Sequence, residues 1–176
     1  VLDAAKTVLV QQGAAHLTLD AVAAKAGVSK GGLLYHFPTK AALVDGLAER
    51  LLAFTETNLA RAERDGIVRT FLETSLPGGD EADHYLAVFS AVRSGLTVSD
   101  ETRTLLQHVF AIWSDALRDA VEDPVQADVI RLVGDGLYLG AVLGLQPLDR
   151  PALEQVFARL DAPPQARDAG RTRRPR

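Results

Sequence analysis

Apolar residues recur along this chain at intervals of three and four, with no sustained alternation of two, and that spacing predicts helices throughout. Leu2, Ala5, Val8 and Leu9 form the stripe of a first helix that Gly13 closes. Thr18 stands at an N-cap position ahead of Leu19, Val22, Ala23 and Ala26, and Gly27 ends this short second helix. Ser29 caps a third helix running to about Phe37; Pro38 stops it, because proline disfavours helical geometry at the residue before it. Thr39 caps a fourth, proline-free helix that reaches the Asp65-Gly66 break. Further helices are expected at 67–76, 82–95, 99–122, 125–145 and 150–160, separated by "PGGDE", Gly95 to Val98, Asp123-Pro124 and "QPLDRP". Residues 161–176, rich in proline and arginine with almost no apolar content, are expected to be a disordered tail.

One position disturbs this pattern. Gly31 and Gly32 follow the Ser29 cap inside the third helix, where each glycine costs roughly 1 kcal/mol relative to alanine. A helix that had only to be stable would not carry both. The charge distribution adds to the anomaly: the net charge is −4, yet residues 21–44 hold Lys25, Lys30 and Lys40 and no acid. A basic window in an acidic protein points to a surface facing a polyanion, or to solvated lysines on an exposed face, and the charges alone leave both open. Two short helices joined by a tight turn at Gly27 form the helix-turn-helix arrangement, which lays its second helix in the DNA major groove. Against a duplex, the glycines keep side chains away from base edges and phosphates, and Lys30 supplies charge. Thr18 and Ser29 sit at helix N-termini, where free amides and the helix dipole favour phosphate.

Composition excludes several classes. Cysteine is absent, so there is no disulfide, no thiolate zinc site and no thiol nucleophile, and a reducing cytoplasm is the expected location. The longest apolar stretch contains Arg131 and Asp135 and falls short of the roughly 18 to 20 apolar residues of a membrane span, and no secretory leader is read. The chain starts at Val1 and contains no methionine, so residues upstream of Val1 are expected. His16, His36, His84 and His108 lie far apart with no HExxH pairing, and neither a phosphate-binding glycine loop after a strand nor a G-x-S-x-G elbow is present. An enzyme is therefore not expected, and neither a metal nor a cofactor is implied.

The stretch "TLDAVAAKAGVSKGGLLYHFPTKAAL" resembles the DNA-binding domain of the TetR family of bacterial transcriptional regulators, through its threonine cap, "AGVS", the short recognition helix ending in Tyr-x-His-Phe or a variant, and the lysine opening the next helix. The resemblance covers residues 1–48 and implies a three-helix DNA-binding domain, followed over 49–160 by a larger helical effector-binding and dimerisation domain. It also implies roles: Thr18, Tyr35 and Lys40 on phosphate, Lys30, Gly31 and Gly32 facing bases, Ser29 at the cap, and His36 beside the backbone. Many members carry an aromatic where this chain has Leu34, so one phosphate-binding hydroxyl is missing. Tyr35 and His36 have a second reading, as packing on the first helix, while Leu33 and Phe37 read as core.

For the body, the resemblance implies a small-molecule pocket, and Phe89, Trp113 and Tyr138 are its first candidates, although an aromatic at helical spacing is more often ordinary core. Gly136, Gly140 and Gly144 recur every four residues, allowing another helix close approach, with Val142 and Leu143 adding apolar area. These five are the candidate dimer interface; packing within the chain is the other reading. The resulting expectation is a repressor released from a palindromic DNA operator by an unidentified effector. It acts as a homodimer with no membrane contact. An activator on the same fold, or a helical adaptor without DNA function, are the alternatives.

Overall fold

The computed structural model describes residues 1–94, 98–146 and 148–162, and among these every regular element is helical. The elements are α1 (Leu2–Gln12), α2 (Leu19–Ala26), α3 (Lys30–His36), α4 (Lys40–Asp65), α5 (Ile67–Thr74), α6 (Gly79–Arg93), α7 (Asp100–Ala120), α8 (Pro124–Val142) and α9 (Arg150–Asp161), with a single 3₁₀ turn at Ala14–His16. The tail expected at 161–176 lies outside the described residues from position 163 onward.

Hydroxyl and carboxylate caps start most of these helices. Thr18, Ser29, Thr39 and Ser99 each accept a hydrogen bond from the amide three residues on, and Asp149 does the same for α9. Such caps satisfy amides that no helix can satisfy internally. Boundaries differ from expectation by a few residues, and two differences have physical causes. Helix α6 begins at Gly79, since Asp80 and Glu81 suit a first turn. Helix α8 ends at Val142, since Gly144 takes the left-handed conformation (φ 66°) and the Leu145 amide bonds back to the Gly140 carbonyl. Gly144 therefore terminates the helix and does not lie on its face.

Two apolar clusters hold the molecule together. The first joins Val8 and Leu9 of α1, Val22 of α2, Leu33 of α3 and Leu43, Leu47 and Leu51 of α4 to Val88 of α6 and Val109 of α7. The boundary expected at residue 48 thus falls inside an unbroken helix and inside a shared core. The second gathers Phe71, Leu72, Leu117, Ile130 and Phe157 from α5, α7, α8 and α9. Between α5 and α8 the approach is close enough to need a glycine: a Cβ on Gly134 would overlap the Phe71 ring and lie 2.8 Å from Ser75 Oγ.

Polar ties cross between the N-terminal helices and the body. The buried Lys6 on α1 pairs with Asp80 on α6, and Asp45 on α4 accepts hydrogen bonds from the Ser99 and Thr102 hydroxyls at the start of α7. His84 on α6, only 2% exposed, donates through Nε2 to the Leu47 carbonyl at 3.1 Å. Burial pushes its pKa below the ordinary 6.5, with the charges of Lys6 and Arg50 acting in the same direction.

Two outcomes follow for stability. Gly134→Ala overpacks the α5–α8 contact and should destabilise by about 1–3 kcal/mol, read as a melting temperature lowered by about 2–4 °C for each kcal/mol in a chain of this size. His84 stays neutral in the folded protein while it protonates near 6.5 in the unfolded chain. Stability should therefore be lost as pH falls below 6.5 and level off once the lower folded value is passed. Thermal melts at pH 7.5 and 5.5 should show His84→Gln losing less over this interval than the parent protein.

Candidate functional site

Helices α2 and α3 meet at Gly27, whose left-handed φ of 68° makes the turn, and only one face of α3 enters the core. Leu33 is buried and Phe37 half-buried, as expected, which points the rest of this seven-residue helix outward. Ser29, Lys30, Gly31, Gly32, Tyr35, His36 and Lys40 are all exposed, and Thr18 is half-exposed beside them. The tyrosine ring is 85% exposed and lies perpendicular to the His36 ring, with centroids 4.9 Å apart, and neither residue packs on α1.

The local chemistry suits an anion. Neither α3 nor α4 has an acid in its first turn, and α4 opens on Lys40, where the dipole would favour a carboxylate. Ser29 Oγ accepts the Gly32 amide at 3.1 Å and Thr18 Oγ1 accepts the Ala21 amide at 3.0 Å. Each hydroxyl keeps its own hydrogen to donate to a phosphate oxygen. Lys30 leans back to Asp20 with a 2.8 Å ion pair, a partner missed in sequence because the two lie ten residues apart on different helices. Both side chains are well exposed, so the pair is weak and a phosphate can displace it.

The glycines now separate. A Cβ on Gly32 would sit 3.1 Å from Ser29 Oγ, so the cap itself favours a small residue there. A Cβ on Gly31 would meet nothing within 4 Å. Nothing within the described residues calls for glycine at 31.

A second feature lies in the body: a cavity of about 280 Å³ between α4, α5, α6, α7 and α8. Phe89, Trp113 and Tyr138, the candidate pocket residues, all line it, together with Phe71, Tyr85 and Phe110. Tyr85 and Tyr138 meet edge to face at 4.5 Å; Phe89 stacks on Phe110 at 6.1 Å. Burial raises both tyrosine pKa values, so both are neutral phenols. The Tyr138 hydroxyl is buried and, among the described residues, lacks a hydrogen bond of good geometry, although the Tyr85 hydroxyl is close enough to perturb it. Three charged residues line the cavity and were not foreseen: Arg131 and Asp135, paired at 2.9 Å, and Glu81, which burial pushes above the usual carboxylate range. Their helical spacing does not set them apart from surface charges, so tertiary packing alone reveals them.

The outer face of α8 departs from the interface expected there. Val142 and Leu139 both line the cavity, Leu139 while staying 58% exposed, and Gly144 lies beyond the helix. The exposed apolar residues are Val125, Val129, Leu132, Leu139 and Leu143; with Gly136 they alternate four and three residues apart along one stripe. Among the described residues no other group approaches Gly136 or Gly140 within 4 Å of a Cβ, so no intrachain contact is seen on the glycine face.

Comparison with known families matches residues 1–47 to "Bacterial regulatory proteins, tetR family" and residues 65–163 to "Tetracyclin repressor-like, C-terminal domain". Among solved structures, a TetR-family member from Streptomyces coelicolor A3 superposes with a TM-score of 0.62 at 27% identity, over 90% of this chain and 94% of that one. The multidrug binding protein EbrR, complexed with imidazole, gives 0.55 at 28% identity over 95% and 96%. NalD, a secondary repressor of a multidrug efflux pump in Pseudomonas aeruginosa, shares the fold at 15% identity with a TM-score of 0.57, over 90% and 89%. Comparison with curated protein sequences gave no match. No helix among the described residues is long and apolar enough to cross a membrane.

Proposed function

From the premise that the chain belongs to the TetR family of bacterial transcriptional regulators, we propose that it is a repressor that leaves a palindromic operator when a small molecule fills the cavity of its body. The observation that carries the DNA half is Gly31: an unfavourable residue in an exposed helix, with open space around it, makes sense if the space is filled by a duplex. Lys30 and the two glycines face base edges, while Thr18, Ser29, Tyr35 and Lys40 hold phosphates and His36 lies alongside. We divide the chain near residue 48 into a reading head and a sensing body, and its place is the bacterial cytoplasm, where operators are.

The effector half rests on where the cavity lies. EbrR is a multidrug binding protein crystallised with imidazole and with ethidium, at 28% and 26% identity, and the aromatic lining here suits the same use. Thr55 and Asn58 put α4 itself in the cavity wall, and α4 runs unbroken to Lys40, about 25 Å away at 1.5 Å per residue. Helices α6 and α7 supply the other walls and are tied to α1 and α4 through Lys6–Asp80, His84–Leu47 and the Asp45 cluster. An effector that prefers one arrangement of these helices shifts the population toward it and so changes the spacing of two recognition helices.

Two recognition helices require two copies. The α8 stripe has the alternating three and four spacing of a helix seam, and Leu132 and Leu143, both about 60% exposed, are large members of it. The dimer seam is Val125, Val129, Leu132, Gly136, Leu139 and Leu143, with Gly140 at its edge. Introducing Leu132→Asp with Leu143→Asp should give a monomer by light scattering, with helical content unchanged and operator affinity lost.

The DNA reading is tested with a duplex selected from a random pool. Affinity should fall steeply with salt, because each phosphate contact releases counterions, and Lys40→Ala should flatten the log–log slope by about 1. Gly31→Ala should leave the melting temperature unchanged or raised while weakening DNA binding at least tenfold. Salt-independent binding, or unaltered affinity in Gly31→Ala and Lys40→Ala together, would favour a helical adaptor.

A further inference from the structure

Resting on the reading of α3 as the DNA-facing helix, we propose that Asp20 of α2 and Lys30 of α3 act as one unit that reads a single G·C base pair in each half-site. The Lys30 ammonium lies 2.8 Å from Asp20 Oδ1 and 3.0 Å from Oδ2, so both carboxylate oxygens hold it. The Lys30 and Asp20 side chains stay 57% and 70% exposed, so the pair stands in solvent on the outward side of the two helices. Gly31 beside them adds no side chain, and a Cβ there would meet nothing within 4 Å, which leaves room for a base pair to approach.

The pairing decides what Lys30 can read. A lone ammonium suits any phosphate, and phosphate contacts position a protein without carrying sequence information. Among the described residues Lys25 and Lys40 of the basic window form no ion pair, whereas Lys30 does. A phosphate that takes Lys30 leaves the Asp20 carboxylate unpaired beside a polyanion, so the exchange gains little. A base pair can be met by both partners at once. An ammonium has three hydrogens and a carboxylate about four acceptor sites, so the paired groups keep a donor and an acceptor side by side for a third party. In the major groove guanine presents N7 and O6 as acceptors, and cytosine presents its N4 amino group as a donor. Lys30 donates to guanine, and Asp20 accepts from cytosine. Adenine offers the ammonium N7 alone, so an A·T pair satisfies the unit less well. Asp20 also suits the first turn of α2, but a dipole role would alter helix stability and not the base preferred at one position.

The test uses the full chain and a duplex selected from a random pool, with each base pair replaced in turn and affinity measured by fluorescence anisotropy. One G·C pair in each half-site should be preferred over A·T by about tenfold or more. Asp20→Ala and Lys30→Ala should each cut that preference at least threefold at the same position and leave the preferences elsewhere unchanged, with circular dichroism confirming that both variants are folded. If Asp20→Ala changed the affinity for every duplex by one common factor, or if the two variants lost discrimination at different positions, the assignment would be overturned while α3 remained the reading helix. Failure of the chain to select any duplex would overturn the DNA reading and this assignment with it.

Discussion

The apolar seam of α4, made by Leu43, Val44, Leu47 and Leu51, is shared by two sets of helices with different tasks. On one side it carries α1, and through α1 the α2–α3 pair; on the other it packs against α6 and α7. Since a packed core transmits displacement and does not absorb it, the reading head cannot move independently of the body. The polar ties at Lys6, Asp45 and His84 lie along the same seam and fix its register. Weakening the seam would uncouple the N-terminal helices from the body.

The two functional surfaces share a logic of unfavourable local choices. Gly31 gives up helix stability, Lys40 opposes the dipole of its own helix, and Tyr35 leaves a large ring in water. In the body, among the described residues, Glu81 is drawn away from water without an ion pair, and the Tyr138 hydroxyl is buried without a well-formed hydrogen bond. Consistent sequences do not usually accumulate such conflicts outside functional regions. At the head the proposed resolution is a polyanion; in the cavity it is a bound effector.

Much of the reading head was legible in the chain because it is local. A cap, a turn glycine and a stopping proline act within four residues, so α2, α3 and the starts at Thr18, Ser29 and Thr39 follow from sequence order alone. The exposure of Tyr35 also follows once Leu33 and Phe37 are assigned to the core of the same short helix. The body was less legible. Its aromatic residues could be named, but a stripe that lines a cavity has the same period as one that fills a core.

Sequence by itself determined the helical class, the helix-turn-helix and the residues that its exposed tip presents, because periodicity and capping are short-range properties. Tertiary structure decided that the head shares a core with the body and that Glu81 lines the same cavity as six aromatic side chains. It also moved the outer stripe of α8 to Val125 through Leu143 in place of the glycine series ending at Gly144. Those outcomes depend on which helix faces approach one another, and that is set by volumes such as the missing side chain at Gly134, which no spacing along the chain records.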